Sequence, residues 1–188
     1  MAMPVPMPCY TIADLDGFPE DGNRYEVLGG MLLVTPAPGF LHQRVLARLV
    51  GKVASYLETE GLAVVVTPGV VPLGADTQLE PDALVIPTRY PVGLQWRDIT
   101  ERWLAIEVSG RDSRVYDRDY KQTAYLRLGV REVWRVDLRD RVVSVSRLRS
   151  GSAVRYEQRL DWHPPEMATG LTIDVPKLFE GSEPSNWS

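Results

Sequence analysis

Asp82 and Glu107 stand where carboxylates can do chemistry, each beside a run of apolar residues. The first run is Leu79-Glu80-Pro81-Asp82-Ala83-Leu84-Val85-Ile86 and the second Trp103-Leu104-Ala105-Ile106-Glu107-Val108. Lys121 follows within Asp117-Arg118-Asp119-Tyr120-Lys121-Gln122-Thr123-Ala124-Tyr125. Two carboxylates beside strand residues are suitable donors for Mg²⁺ or Mn²⁺, hard ions that keep several waters and seldom take an all-protein cage. Such an ion polarises a phosphate and acidifies an attacking water, while a lysine orients that water or stabilises the developing charge. The constellation points to phosphodiester hydrolysis.

Each residue alone has a plainer reading. Asp82 after Pro81 is ordinary turn chemistry, Glu107 is a strand-end acid, and Lys121 is four residues from Asp117, a helix-surface pair. The joint pattern is more telling, because one mechanism needs all three types. Alternation sets Trp103, Ala105 and Glu107 on one strand face and Leu104, Ile106 and Val108 on the other. Asp82 shares a face with Leu84 and Ile86. If the two strands are neighbours, both carboxylates reach the same side.

The surrounding elements must hold that arrangement. Thr11 is placed to cap a short helix through Ile12 and Leu15. Residues 24–28 and 31–34 flank Gly29-Gly30, the cue for a tight hairpin. From Phe40 to Glu60 the period lengthens, with Leu46, Leu49, Val50, Val53 and Leu57 forming a buried helical stripe. His42 lies one turn before Leu46, and Gly61 is a natural stop. Strands are expected over 63–67, 70–73, 79–86 and 102–108. A second helix is expected over 113–128, then strands over 132–137, 142–148, 154–160 and 171–175, and a short helix over 176–179. This order implies an α/β (α+β) domain with a central mixed sheet flanked by helices. One domain is expected over 11–180, with a flexible N-terminus (1–10) and tail (181–188).

Composition narrows the function classes. The chain has 188 residues, 44% hydrophobic and 24% charged, enough for one domain with a real core. No apolar run approaches the ~20 residues a membrane-spanning helix needs, and the proline-interrupted start, Met1 to Pro8, does not read as a secretory signal. A lone cysteine, Cys9, excludes a disulfide framework and a cysteine-built zinc site, so a cytoplasmic setting is expected. The formal charge of −4 is unlike a general nucleic-acid binder, yet acids gathered for a cation lower the sum. Arg111, Arg114, Arg118 and Lys121 form a local basic cluster that fits either phosphates or a solvated helix face. There is no G-x-S-x-G elbow and no Walker loop, and two histidines, His42 and His163, are too few for an H-E-x-x-H zinc site.

A longer series of landmarks carries a family resemblance: Tyr25 to Gly30, Thr35-Pro36-Ala37-Pro38 leading to His42, and Glu80-Pro81-Asp82. It continues with Leu104 to Ser109, Asp117 to Tyr125, and Gly129 to Asp137. Over about 24–179 the chain resembles the PD-(D/E)XK nuclease superfamily, specifically the bacterial Uma-two family of restriction-endonuclease-like proteins. The resemblance implies a divalent-metal-dependent DNA endonuclease with Asp82 and Glu107 as metal-binding acids and Val108 adding a carbonyl. It places the usual lysine two residues after the glutamate, where this chain has Ser109, and makes Lys121 the matching residue on the next helix. Glu26 matches an early family acid that reaches the metal through water or pairs with an arginine. His42 and Tyr125 are expected as supporting residues. A homodimer that cuts two DNA strands fits this class. The alternative is a catalytically silent nuclease fold that binds nucleic acid or a protein partner.

Overall fold

The computed structural model describes residues 9–110, 115–148, 150 and 152–181, with backbone alone for 115–119. The ends expected to be loose fall mostly outside this range, as do Arg111, Arg114 and the side chain of Arg118. The two-glycine hairpin forms as expected. β1 (Arg24–Leu28) and β2 (Met31–Thr35) pair antiparallel, with Leu28 opposite Met31. Gly29 and Gly30 take φ values of 57° and 77°, a left-handed pair that glycine adopts without steric cost. A Cβ at Gly30 would also lie 2.4 Å from Cys9 Sγ.

The apolar stripe becomes α1 (Phe40–Leu57), which buries Val45, Leu46, Leu49, Val53 and Leu57 and leaves Val50 half-buried. Next come β3 (Ala63–Val66), β4 (Val71–Leu73), β5 (Thr77–Leu79), β6 (Ala83–Pro87) and β7 (Arg102–Ser109). α2 (Val115–Arg127) leads into β8 (Val130–Asp137), β9 (Val142–Arg147) and β10 (Val154–Tyr156). β11 (Arg159–Trp162), β12 (Leu171–Asp174) and the single turn α3 (Val175–Leu178) close the described chain.

Two expected strands are each divided. Residues 79–86 are interrupted at Glu80-Pro81-Asp82, since Pro81 has no N–H to give a ladder. Residues 154–160 become β10, paired with β9, and β11, paired with β12 in a separate two-stranded sheet.

The central sheet is mixed and six-stranded, in the order β10-β9-β8-β7-β6-β3. Its parallel pair, β7 and β8, is joined by α2 as a crossover, as a parallel pair requires. Alternation then assigns the faces. Ala83, Val85, Leu104, Ile106, Trp134, Val136, Val143 and Val145 join α1 in one apolar cluster. Leu84, Ile86, Ala105 and Val133 face α2, against Ala124 and Tyr125. Trp103 departs from the alternation: it joins the α1-side cluster, and its Nε1 donates to Glu101. A second sheet, β2-β1-β5-β4, contributes Leu28, Leu79 and Val71 to the α2-side cluster.

Candidate active site

The pairing Ala83↔Ile106, Leu84↔Ala105, Val85↔Leu104 sets β6 antiparallel to β7. Continued by one residue, it brings Asp82 opposite Glu107 on the α2 side. Asp82 lies just beyond the ladder, and its carboxylate takes over the ladder's work: Oδ2 accepts the Val108 N–H at 2.8 Å. The interrupting turn is held from outside, with the Pro81 carbonyl accepting from Gly69 N–H at 3.1 Å. His42, from the first turn of α1, places Nε2 3.1 Å from Asp82 Oδ2. Arg24 donates to Asp82 Oδ1 at 2.9 Å and to the Glu80 carbonyl at 2.8 Å.

α2 supplies the opposite wall. Tyr125 donates its hydroxyl to Glu107 Oε1 at 2.5 Å. Lys121, one turn earlier, pairs with the fully buried Glu26, whose other oxygen accepts the Glu80 N–H at 2.8 Å. Gln122 hydrogen-bonds Ser146 on β9. These contacts fix the helix over the carboxyl end of β7. Arg24, His42, Asp82, Glu107, Val108 and Lys121 line one cleft of about 840 Å³. Its rim includes Pro36, Pro38 and Phe40, which is 82% exposed, and its floor extends to Arg135, paired with Glu107 across β7 and β8.

Burial sets the electrostatics. Removal from water pushes the Glu107 carboxyl up to about 7; the charges of Asp82 and Glu26 push the same way, against Lys121 and the Tyr125 hydroxyl. Asp82 is also buried, but the His42 ring, the Arg24 guanidinium and the Val108 N–H outweigh desolvation and hold its carboxyl below the ordinary range. Burial works against the charge on Lys121, and Glu107 and Glu26 overcome it, so the amine is held above its ordinary value. Lys121 is therefore a fixed cation and not a proton acceptor at neutral pH.

The donor set suits a hard divalent cation. Two opposed carboxylates stand together out of water, one of them raised by burial and by the charge of its neighbour. In a strand the N–H and C=O of one residue share an edge, so the Val108 carbonyl turns toward Asp82 with its N–H. Among the described residues no group of three or more His, Cys, Asp or Glu is arranged as a cage. Two acids and a carbonyl match the partly hydrated sphere that Mg²⁺ and Mn²⁺ keep, not a closed zinc site.

Every candidate from the sequence converges on this cleft: Asp82, Glu107, Val108 and Lys121, with Glu26, His42 and Tyr125 touching one or another of them. Glu26 pairs with Lys121, and among the described residues no ion pair joins it to an arginine. Ser109, at the position of the usual lysine, is buried and donates to the Val136 carbonyl. Arg24 was not singled out from the sequence. Its signal was the Arg-x-Glu spacing in β1, which sets Arg24 and Glu26 on one strand face.

Fold and cleft together define a restriction-endonuclease-like domain. The model of the Uma2 family, described as "Putative restriction endonuclease", matches residues 12–176. The chain belongs to the Uma2 family. Its fold is similar to the crystal structure of "a putative nuclease belonging to DUF820" from Anabaena variabilis ATCC 29413. That likeness has a TM-score of 0.75 at 17% identity and covers 90% of this chain and 97% of the other. No curated protein matches the chain. Among the described residues no helix is long and apolar enough to cross a membrane.

Proposed function

We propose that this protein is a divalent-metal-dependent DNA endonuclease and that Asp82, Glu107 and Lys121 are its working residues. The observation that carries this reading is the burial of two opposed carboxylates beside a lysine kept cationic, all lining one cleft. A structural domain gains nothing from two acids forced together out of water, since ionising both costs free energy that apolar residues would spare. A cation-dependent hydrolase gains its binding site.

Asp82, Glu107 and the Val108 carbonyl would hold Mg²⁺ or Mn²⁺, which when bound supplies Lewis-acid activation of the phosphate and of water. The protein's own groups do the remainder. His42 and Arg24 keep Asp82 ionised and aimed. Tyr125 fixes one oxygen of Glu107, leaving the other available to a ligand. Lys121 places a positive charge where the phosphate gains negative charge in the transition state. A homodimer presenting two such clefts would cut both strands of a duplex.

The test is cleavage of a panel of duplex, single-stranded and branched DNAs with Mg²⁺, Mn²⁺ or chelator. Asp82→Asn, Glu107→Gln and Lys121→Gln serve as controls. Metal-dependent cutting lost in all three supports the assignment; cutting that persists in all three removes it.

A further inference from the structure

β1 reaches the cleft through two residues that hold the backbone of one residue, Glu80, at its carbonyl and at its N–H. Arg24 donates to the Glu80 carbonyl at 2.8 Å, and Glu26 accepts the Glu80 N–H at 2.8 Å. Each has a second contact inside the cleft: Arg24 with Asp82 Oδ1 at 2.9 Å, and Glu26 with Lys121 Nζ. Resting on the reading of Asp82 and Lys121 above, we propose that Arg24 and Glu26 are positioning residues: Arg24 aims Asp82, Glu26 aims Lys121, and both are keyed to the Glu80 backbone so that the acid and the lysine are set relative to each other.

The arrangement explains features that packing does not. Glu26 is fully buried in the middle of a strand, where an apolar residue would pack without a desolvation penalty. Asp82 and Lys121 come from different elements, the edge of β6 and the middle of α2, separated by 39 positions (121 − 82). Nothing in local geometry relates them, and a site must be held to about half an ångström to work. A single strand with side chains at i and i+2 on one face supplies the common ruler. The choice of arginine follows from shape. Its planar fork spans a backbone carbonyl and a carboxylate at once, which a lysine ammonium at the end of a flexible stem does not reproduce. Supports of this kind tune metal sites by about 10- to 100-fold when removed.

The two residues act on different partners, and that difference is the test. On the full-length protein, Mn²⁺ affinity is measured by calorimetry and DNA cleavage by kcat and KM. Amide exchange at Val108, whose N–H reports the position of Asp82, and proton exchange at the Lys121 ammonium are followed by NMR. Arg24→Lys, which keeps the charge and loses the fork, should weaken Mn²⁺ binding about 10-fold and speed Val108 exchange. Glu26→Gln should leave Mn²⁺ affinity within about 2-fold, lower kcat by about 10-fold with KM unchanged, and speed exchange of the Lys121 ammonium. If Arg24→Lys restores wild-type affinity and Val108 protection, charge alone suffices and the proposal fails. It fails equally if both variants lose every readout together, the mark of general loosening. A wild-type chain that neither binds Mn²⁺ nor cuts DNA refutes the nuclease reading instead. The two exchange measurements then decide the positioning roles alone, and unchanged protection in both variants overturns them.

Discussion

The central sheet has two faces that obey the same alternation and put it to opposite uses. On the α1 side the inward positions along the middle of β6 to β9 are apolar, from Ala83 and Val85 through Leu104, Ile106, Trp134 and Val136 to Val143 and Val145, and the one buried acid beside them, Glu132, is matched by the Trp134 ring N–H and by Arg147. On the α2 side the same strands carry apolar residues at one end, Leu84, Ala105 and Val133, and polar ones at the other. There Glu107 is followed across the sheet by Arg135 and Ser144 at one register. α1 packs by its buried stripe, whereas α2 is tied down by Lys121, Gln122 and Tyr125 through hydrogen bonds and an ion pair. One face holds the fold; the other stores unfavourable charge that the fold must be stable enough to carry. Polar groups at this density under a helix are the ground on which the proposed site rests.

The sharpest way to separate the faces is to remove function from one without touching the other. Asp82→Asn or Glu107→Gln should reduce metal-dependent cleavage by about three orders of magnitude, equivalent to about 4 kcal/mol in the barrier, with chemical denaturation showing a folded protein. A cleavage rate within tenfold of wild type in both would dissolve the contrast.

The converse substitution belongs on the α1 side. Leu49 is fully buried at the centre of the stripe, and Leu49→Ala should cost about 3 kcal/mol through lost burial and the cavity left behind. The denaturant midpoint should fall, while cleavage per folded molecule stays as in the wild type. A large loss of activity in protein shown to be folded would mean that the two faces are not independent.

This asymmetry also governs what could be read from the amino-acid sequence. α1 was legible because packing is periodic: Leu46, Leu49, Val53 and Leu57 all recur at helical spacing and all are buried. The acid pair was legible because strand alternation and antiparallel pairing set Asp82 against Glu107. The links that complete the cleft were not, because they join residues far apart in the chain. Arg24 reaches Asp82 across 58 positions and Lys121 reaches Glu26 across 95. No local period encodes either contact. The division of residues 79–86 followed from proline chemistry already present at Pro81, and the division of residues 154–160 between two sheets is a tertiary choice.

The two faces should also differ in how stability depends on pH. The Glu107 carboxyl, ordinarily near 4.5, is pushed up to about 7 in the folded protein by burial. A raised acid binds its proton more tightly folded than unfolded, so metal-free stability falls as pH rises from about 4.5 to about 7, and the penalty is complete above that. Glu107→Gln keeps the shape without the charge. It should be more stable than wild type above pH 7, by on the order of 3 kcal/mol, with no advantage below pH 4. Mn²⁺ added to the wild type should release protons in this window, detected as a dependence of binding heat on buffer ionisation. An α1-side variant such as Leu49→Ala should show a pH-independent difference.

The smallest expected effect is the most discriminating, because it changes one oxygen atom. Tyr125 is fully buried on the α2 side and its hydroxyl donates to Glu107. That bond favours the ionised carboxylate and pulls against burial. Tyr125→Phe removes the donor and keeps the ring, so the apolar packing around Ala124 and Val133 is preserved. Glu107 should then hold its proton to higher pH, and the pH at which Mn²⁺ binding reaches half its maximum should move upward. Above pH 7 the variant should lose about 1 kcal/mol of stability from the missing charge-assisted bond. Below pH 4.5, where Glu107 is protonated in both folded and unfolded chains, the loss should shrink. A pH-independent loss of the same size would make Tyr125 a packing residue like its counterparts under α1. An upward shift with the packing intact would make it the residue through which α2 sets the charge state of the cleft.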